Sequence, residues 1–316
     1  MSKTVTAQTV KKKHKKTRLT KNFWQLMSLE AIPMLLVFVF SYIPMFGIII
    51  AFKDYKYRRG IFGSEWVGLK NFDFLIKSDD FWRISRNTIC MNMLFIVAGI
   101  VAAVILAVML FDVKNRGAIK AYQSCLITPN FISWVVVGYI AYIFLNPEYG
   151  TINKLLTAIG FPSVQWYSSP KLWPAILTVV SVWKGVGMNT VMYYAALMGI
   201  DSQIFEAAEL DGANKLQKIW NITIPSLVPI ITILFILSIG GIFRADFGLF
   251  YQVTRDVGAL YETTDVLDTY IFRTMKEIGD MSISSAVGLL QSVVGFIFVV
   301  TVNKIVNKID PDRGLF

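Results

Sequence analysis

Six long apolar segments dominate the pattern of this 316-residue chain. Each carries no charge or almost none, and they cover residues 31–52, 88–111, 125–145, 172–200, 222–243 and 281–303. An α-helix rises about 1.5 Å per residue, so roughly 21 residues cross the hydrocarbon core of a bilayer. The pattern therefore predicts six transmembrane helices and an all-α integral membrane protein.

The polar connections between these segments differ in character. Residues 53–87 mix aromatic side chains with charges of both signs, which favours an ordered docking surface over a flexible linker. Residues 146–171 contain a short amphipathic stretch that favours a helix lying at the membrane interface. Residues 244–280 are amphipathic but too polar to span. The connections on the opposite side are short, apart from residues 201–221.

Composition agrees with this interpretation. Hydrophobic residues make up 55% of the chain and charged residues only 16%, whereas soluble domains carry about 25% charged residues. The net charge of +10 is concentrated before the first apolar segment, where anionic lipid headgroups are a better partner than nucleic acid. The chain is thus expected to be a multi-pass membrane protein that also contacts membrane lipids.

The basic N-terminal block predicts the orientation, because positive charges before a first span favour the cytoplasmic side. Six spans then place both termini in the cytoplasm. The expected domains are a basic tail at 1–29, a six-helix transmembrane domain at 30–304 and a C-terminal tail at 305–316. The block consists of Lys11, Lys12, Lys13, Lys15, Lys16, Arg18 and Lys21.

Signatures of catalysis are missing from the sequence. It contains no G-x-x-x-x-G-K-[ST] loop, no H-E-x-x-H and no G-x-S-x-G, and its one histidine, His14, lies in the basic tail. We expect no catalytic residue, no metal site and no cofactor in this chain. Cys90 and Cys125 fall at or within predicted spans, where we expect buried free thiols. If ATP energises transport, another subunit must bind it.

The strongest signal is the stretch EAAELDGANKLQKIWNITIPSL at residues 206–227. Asp201 or Ser202 can cap a helix that begins near residue 203, and Gly212 either ends that helix or lets two short helices meet at an angle. Pro225 is tolerated near the first turn of the next span, because its missing N–H has no helical partner there. Together they predict a helical elbow attached to the base of the fifth span.

The spacing resembles the EAA loop of bacterial ABC importer permeases, E-A-A-x3-G-x9-I-x-L-P. Residues 206–208, Gly212, Ile222 and Pro225 match it, and Ile224 replaces the usual leucine. The extended form EAAELDGA is similar to that of carbohydrate-uptake permeases with paired, non-identical subunits. Residues 42–55, 63–72, 183–189 and 247–270 also resemble the first-position permease of oligosaccharide and polysaccharide importers.

This resemblance implies a type I importer architecture in which the loop at 201–225 serves as the coupling helix. It implies a homologous second permease, two copies of a cytoplasmic ATPase that bind ATP and magnesium, and an extracellular binding protein or lipoprotein that delivers an oligosaccharide. The residues that would couple to the ATPase are Glu206, Ala207, Ala208, Asp211, Gly212, Ile222 and Pro225.

Aromatic, amide and hydroxyl side chains within the predicted spans are candidates for a sugar path. The same residues at helical spacing also suit packing between helices, where polar side chains bond across the interface. Gly185 and Gly187 are expected to loosen the fourth span locally. The candidates are Asn130, Trp134, Trp183, Lys184, Asn189, Tyr193, Tyr194 and Gln291.

Lys184 is a cation near the middle of a predicted span, where insertion costs about 2.5–3.5 kcal/mol, so it must face protein or water. An ion pair or a hydrogen bond to carbonyls of a neighbouring helix is the favoured structural role. Two other classes of function remain open. An ion-driven secondary transporter usually shows repeats and intramembrane carboxylates, which are not visible here. An enzyme acting on lipid-linked sugars would need an acid–base or metal constellation that we do not find.

Overall fold

The computed structural model describes residues 21–309, which divide into two compact units between residues 48 and 49. In the first unit, α1 (Lys21–Val37) continues as a π-helix at Phe38–Tyr42. A 3-10 helix at Ile43–Phe52 follows and includes the first residues of the second unit. The apolar run Met27–Phe52 is long enough to span a membrane. The basic block up to Arg18 and the C-terminal residues 310–316 lie outside the described residues.

The second unit is helical apart from one small hairpin. Its strands and α-helices are β1 (Lys53–Asp54), α2 (Gly60–Gly63), β2 (Glu65–Trp66), α3 (Lys70–Ile76), α4 (Asp79–Phe111), α5 (Arg116–Ile127), α6 (Trp134–Leu145), α7 (Thr151–Ala158), α8 (Trp173–Leu197), α9 (Ser202–Leu210), α10 (Lys215–Lys218), α11 (Ile224–Ile239), α12 (Tyr261–Thr264), α13 (Leu267–Arg273) and α14 (Met281–Ile309). π-Helices occupy Ile219–Thr223, Leu249–Val253 and Thr274–Ile278, and 3-10 helices occupy Thr128–Phe131, Trp166–Ser168, Pro170–Leu172 and Gly258–Leu260. The strands pair antiparallel, with Lys53 opposite Trp66.

Within residues 21–309, five helical runs are long and apolar enough to cross a membrane, and a bent helix pair makes the sixth. This confirms the all-α membrane fold. Helix α4 begins earlier than the apolar segment at 88–111, because the Ser78 hydroxyl accepts from the Phe81 N–H and two aspartates occupy the first turn. The helical run Lys215–Ile239 joins α10, the π-helix at Ile219–Thr223 and α11.

The prediction of one continuous third span at 125–145 is wrong. Helix α5 and the 3-10 turn after it meet α6 at an angle of 98°. Pro129 has no N–H with which to continue the helix, and the chain leaves helical geometry after Phe131. The Ser133 hydroxyl then accepts from the Val136 N–H and caps the new helix. Residues 116–145 therefore form two helices at a sharp angle in place of one straight span.

Residues 244–280, predicted as a connection outside the membrane, contribute to the core of the second unit. Leu249, Phe250 and Val253 are buried in a cluster with Met91 and Trp173. Helix α6 approaches this segment so closely that a Cβ atom on Gly138 would lie 2.5 Å from the Gln252 carbonyl oxygen. The segment does not span the membrane as a helix, but it is as much part of the fold as the spans are.

Small residues allow α4 and α8 to pack side by side. Ala103 and Ala107 of α4 are fully buried against Tyr193 and Leu197 of α8. Cys90 and Cys125 are free, but the prediction that they are buried is wrong. Both side chains are exposed at the surface of this chain.

Candidate functional site

The polar stretch after α8 forms the predicted elbow. The Asp201 carboxylate accepts from the Gln203 N–H at 3.0 Å and caps α9. The helix ends at Gly212, whose φ of +79° lies in the left-handed region. The N–H groups of Gly212 and Ala213 donate to the carbonyls of Glu209 and Ala208, which is the Schellman pattern of a helix C-terminus. Of the two roles predicted for Gly212, the structure shows that it ends the helix.

The second half of the elbow leads directly into the fifth span. Asn214 and Gln217 form a reciprocal capping box at the start of α10. From there the chain stays helical to Ile239, with a π-turn that contains Ile222. Pro225 lies one residue into α11, next to this wider turn, where its missing N–H is accommodated. The second half of the elbow and the fifth span therefore form one helical run.

One face of the elbow is open to solvent. Glu206, Ala207 and Asp211 are exposed and Ala208 is half-buried. Leu210 and Leu216 flank them with exposed fractions of 90% and 67%. Exposed leucines beside a carboxylate and small side chains form a surface that suits docking of another protein.

The opposite face of the elbow is fastened to the end of α4. The Phe205 ring packs on Phe111 with centroids 5.6 Å apart. The Lys215 ammonium lies 2.8 Å from the Asp112 carboxylate. Within the elbow, the Lys218 ammonium donates to Glu209, and this hydrogen bond lowers the pKa of that carboxyl. The elbow thus contacts α4, follows α8 and continues into α11.

A cavity of about 200 Å³ lies between these same three helices. Asn189, one of the predicted sugar-path residues, lines it, and Gly185 leaves room because a Cβ atom there would have nothing within 4 Å. Ser181 and Ser238 add hydroxyl groups, and sequence analysis missed both. The full lining is Phe95, Ile96, Gly99, Ile100, Ser181, Val182, Gly185, Val186, Asn189 and Ser238.

Lys184 meets the break in the third span. Its ammonium donates to the Asn130 carbonyl at 2.7 Å and the Pro129 carbonyl at 3.3 Å, and it lies 5.0 Å from the centre of the Trp134 ring. The expectation that Lys184 bonds to backbone carbonyls of a neighbouring helix is confirmed. Gly187 follows it and packs directly on Leu126, since a Cβ atom there would lie 2.1 Å from that carbonyl oxygen. Asn130, Trp134 and Lys184 therefore come together, apart from the Asn189 cavity.

The remaining candidates do not share one surface. Trp183 lines a separate apolar groove of about 610 Å³ between α6 and α8. Tyr193 is fully buried with its hydroxyl unpartnered, and Tyr194 packs at the edge of the same α4–α8 cluster. Gln291 is buried and donates to the Phe243 carbonyl and, at 3.1 Å, to the Asp268 carboxylate. Tyr193 thus contributes to helix packing, and Gln291 to hydrogen bonding within this subunit.

A buried ion network, which the sequence did not reveal, stabilises residues 256–273. The Arg273 guanidinium donates to Asp265 at 2.7 Å and to Asp256 at 3.1 Å, and it stacks 4.0 Å from the Tyr261 ring centre. Burial raises the pKa of the Asp265 carboxyl, while the hydrogen bond from Arg273 opposes that rise. Arg83 of α4 lies 3.8 Å from the same carboxylate. The network joins α4 to the segment before α14.

The membrane-spanning helices and the external elbow agree with the family that comparison with known proteins finds. The family model of binding-protein-dependent transport system inner membrane components matches residues 96–310, and the chain belongs to this family. It is therefore a multi-pass component of a bacterial inner membrane, and the family's role is that of the permease component of an ABC importer, which is not itself catalytic.

Particular relatives agree with this class. The chain is 35% identical to protein LplB of Bacillus subtilis (strain 168) over 286 residues, which cover 90% of this chain and 89% of LplB. It is 32% identical to the polygalacturonan/rhamnogalacturonan transport system permease protein YteP of the same organism, covering 88% and 86%. A solved bacterial ABC transporter involved in the import of the acidic polysaccharide alginate has a similar chain, with a TM-score of 0.82, 31% identity and coverage of 92% and 97%.

Proposed function

We propose that this chain is one of two non-identical permease subunits of an ATP-driven importer for an oligosaccharide. An extracellular binding protein delivers the sugar, and two copies of a cytoplasmic ATPase supply the energy. Both termini and the elbow at residues 201–225 face the cytoplasm. The likeness to YteP and to the alginate importer supports a carbohydrate substrate.

The observation that carries the proposal is the meeting of three cavity-lining helices at the elbow. Helix α8 enters the elbow, α11 continues from it, and α4 is fastened to it through Phe111 and Asp112. The same helices enclose Asn189 and its cavity. A push on the exposed face around Glu206 therefore changes the walls of that cavity, which is what an ATPase must do to a permease.

The other end of the molecule supports docking of a binding protein. The hairpin of β1 and β2 is fixed by the Asn71 amide, which donates to the carbonyls of Ala51 and Lys53, and by the Tyr55 N–H, which donates to Ser282 at 2.8 Å. Its tip presents Phe62 with an exposed fraction of 94%. An ordered hairpin with exposed aromatic side chains is a suitable interface.

Reconstitution in proteoliposomes tests the proposal. Uptake of labelled oligosaccharide that requires ATP, the ATPase and the binding protein together is the expected result. Uptake driven by a proton or sodium gradient without those partners would instead assign the chain to a secondary transporter. Cross-linking tests the docking face: a cysteine at Ala207 should react with the ATPase, whereas one at Phe62 should not.

A further inference from the structure

Another pocket lies beside the first two turns of α6. It has a volume of about 230 Å³, and its walls come from α6 and from the π-helix at Leu249–Val253 with the two residues after it. The close approach of Gly138 to the Gln252 backbone forms its floor. The lining residues are Val135, Gly138, Tyr139, Tyr251, Gln252 and Arg255.

Arg255 supplies the charge of this pocket. Its guanidinium carbon lies 4.0 Å from the centre of the Tyr142 ring, so the flat faces of the two groups stack. No carboxylate among residues 21–309 forms an ion pair with Arg255. The adjacent Asp256 is already engaged, because it accepts from Arg273 and from the Tyr261 hydroxyl, each at 3.1 Å. The guanidinium edge is therefore free to bind an anion.

The backbone holds Arg255 in an unfavourable conformation. Arg255 and Asp256 have φ values of +57° and +50°, and they are the only residues other than glycine with positive φ in the described chain. Such strain persists only where surrounding contacts impose it, and it concentrates at ligand sites. Here the Arg273 clamp on Asp256 imposes it. The strained turn directs Arg255 across Tyr142 and into the pocket wall.

The chemistry of the lining identifies a ligand class. Tyrosine faces pack against the apolar faces of sugar rings, and the Gln252 amide can bond to hydroxyl groups. A guanidinium binds a carboxylate through two parallel hydrogen bonds. We propose that this pocket is a transit subsite for a hexuronate residue and that Arg255 binds the carboxylate of that residue. This inference rests on the proposed function, since it names the sugar class that the importer carries.

The test uses the complete transporter in proteoliposomes with its binding protein and ATP. The probes are trigalacturonate, trimannuronate and triguluronate, each paired with its methyl ester, which removes the charge and keeps the ring. Arg255→Gln should lower uptake of the acids by about tenfold or more, as expected for loss of a charge-assisted bidentate contact, and leave ester uptake unchanged. Arg255→Lys should restore part of the acid uptake. Lys171→Gln removes an exposed cation outside the pocket and is the matched control.

The outcomes separate this inference from the proposed function. If wild type and Arg255→Gln show the same ratio of acid to ester uptake, the uronate subsite is refuted while sugar import stands. If none of the six trisaccharides is imported but neutral oligosaccharides are, the uronate subsite is refuted while sugar import stands; if no oligosaccharide of either kind is imported, both proposals fail. An Arg255 effect that is equal for acids and esters and disappears in vesicles without phosphatidylglycerol would assign the pocket to a lipid headgroup and refute the subsite.

Discussion

Replacing Gly212 by alanine isolates the contribution of the elbow geometry to transport. Gly212 has a φ of +79°, and a Cβ atom there would meet nothing within 4 Å. The substitution therefore introduces no clash with neighbouring atoms. Its cost is that of placing an L-residue in the left-handed region, about 1–2 kcal/mol.

This cost falls on one defined turn. The hydrogen bonds from Gly212 and Ala213 to the end of α9 require the left-handed residue, so the variant relieves its strain by opening the turn. A free energy of about 1–2 kcal/mol changes a conformational ratio by a factor of roughly 5–30. If docking on the ATPase needs the closed turn, we expect uptake to fall by a similar factor.

The assay is ATP-dependent sugar uptake by the reconstituted transporter, measured beside its stimulated ATPase rate. Gly279→Ala is the matched control, because Gly279 also has a positive φ of +74° and open space around its Cβ position but lies far from the elbow in sequence, before α14. Gly212→Asn should retain more uptake than Gly212→Ala, since asparagine tolerates left-handed geometry. Wild-type uptake in Gly212→Ala, or an equal loss in Gly279→Ala, would refute the reasoning.

Four further outcomes follow from the packing and charges. Gly187→Ala should lower the melting temperature of the purified permease, because overpacking against Leu126 costs about 1–3 kcal/mol, whereas Gly185→Ala should not. Lys184→Met should reduce the unfolding free energy by about 1–2 kcal/mol in a thermal or denaturant assay, through loss of its bonds to carbonyls. Arg273→Gln should cost about 3–5 kcal/mol in the same assay, since it leaves a buried carboxylate unpaired. Glu206→Lys should abolish uptake without affecting membrane insertion, as seen by fractionation and transport assays.

The Arg273 variant also has a defined pH dependence. Burial already raises the pKa of Asp265, and removing Arg273 raises it further. When the pKa of a carboxyl is higher in the folded than in the unfolded protein, the free energy of unfolding falls as pH rises above the unfolded pKa. The loss of unfolding free energy in Arg273→Gln should therefore be larger at pH 8 than at pH 5. An equal loss of unfolding free energy at both pH values would contradict the pairing of Arg273 with Asp265. For Lys184, the same melting temperature in Lys184→Met and Lys171→Met would contradict the role of its hydrogen bonds.

Hydropathy predicted the spans because length and lack of charge are local properties. The elbow was predictable for the same reason: an N-cap, a left-handed glycine and a proline at a helix start each act within a few residues. The break in the third span was also encoded locally, in Pro129 and Ser133, but the apolar residues on both sides masked it. An apolar average does not distinguish a straight helix from two helices at a right angle.

The sugar path was less predictable because residue type does not determine where a side chain points. Asn189 and Tyr193 are four residues apart on α8, and such neighbours lie on roughly the same helix face. Asn189 nevertheless borders a cavity, whereas Tyr193 is enclosed where Ala103 and Ala107 let α4 come close. The partner helix decides the difference, and helical spacing within α8 does not contain that information.

For residues 244–280 the prediction failed in the opposite way, because their charged residues indicated that the segment lies outside the core. Asp265 and Arg273 make the segment look too polar for a membrane protein core, yet the Asp265 side chain is only 2% exposed. Two charges with good geometry can be buried together, here with a hydrogen bond from the Thr269 hydroxyl and the Arg83 guanidinium 3.8 Å away. Pairing across eight residues and to α4 is a tertiary property, so the sequence alone does not reveal it. Because Asp256 and Asp265 both pair with Arg273, the charge of Arg273 is already neutralised. Arg255 lines a pocket without such a partner among residues 21–309, so its charge is the one available to a substrate.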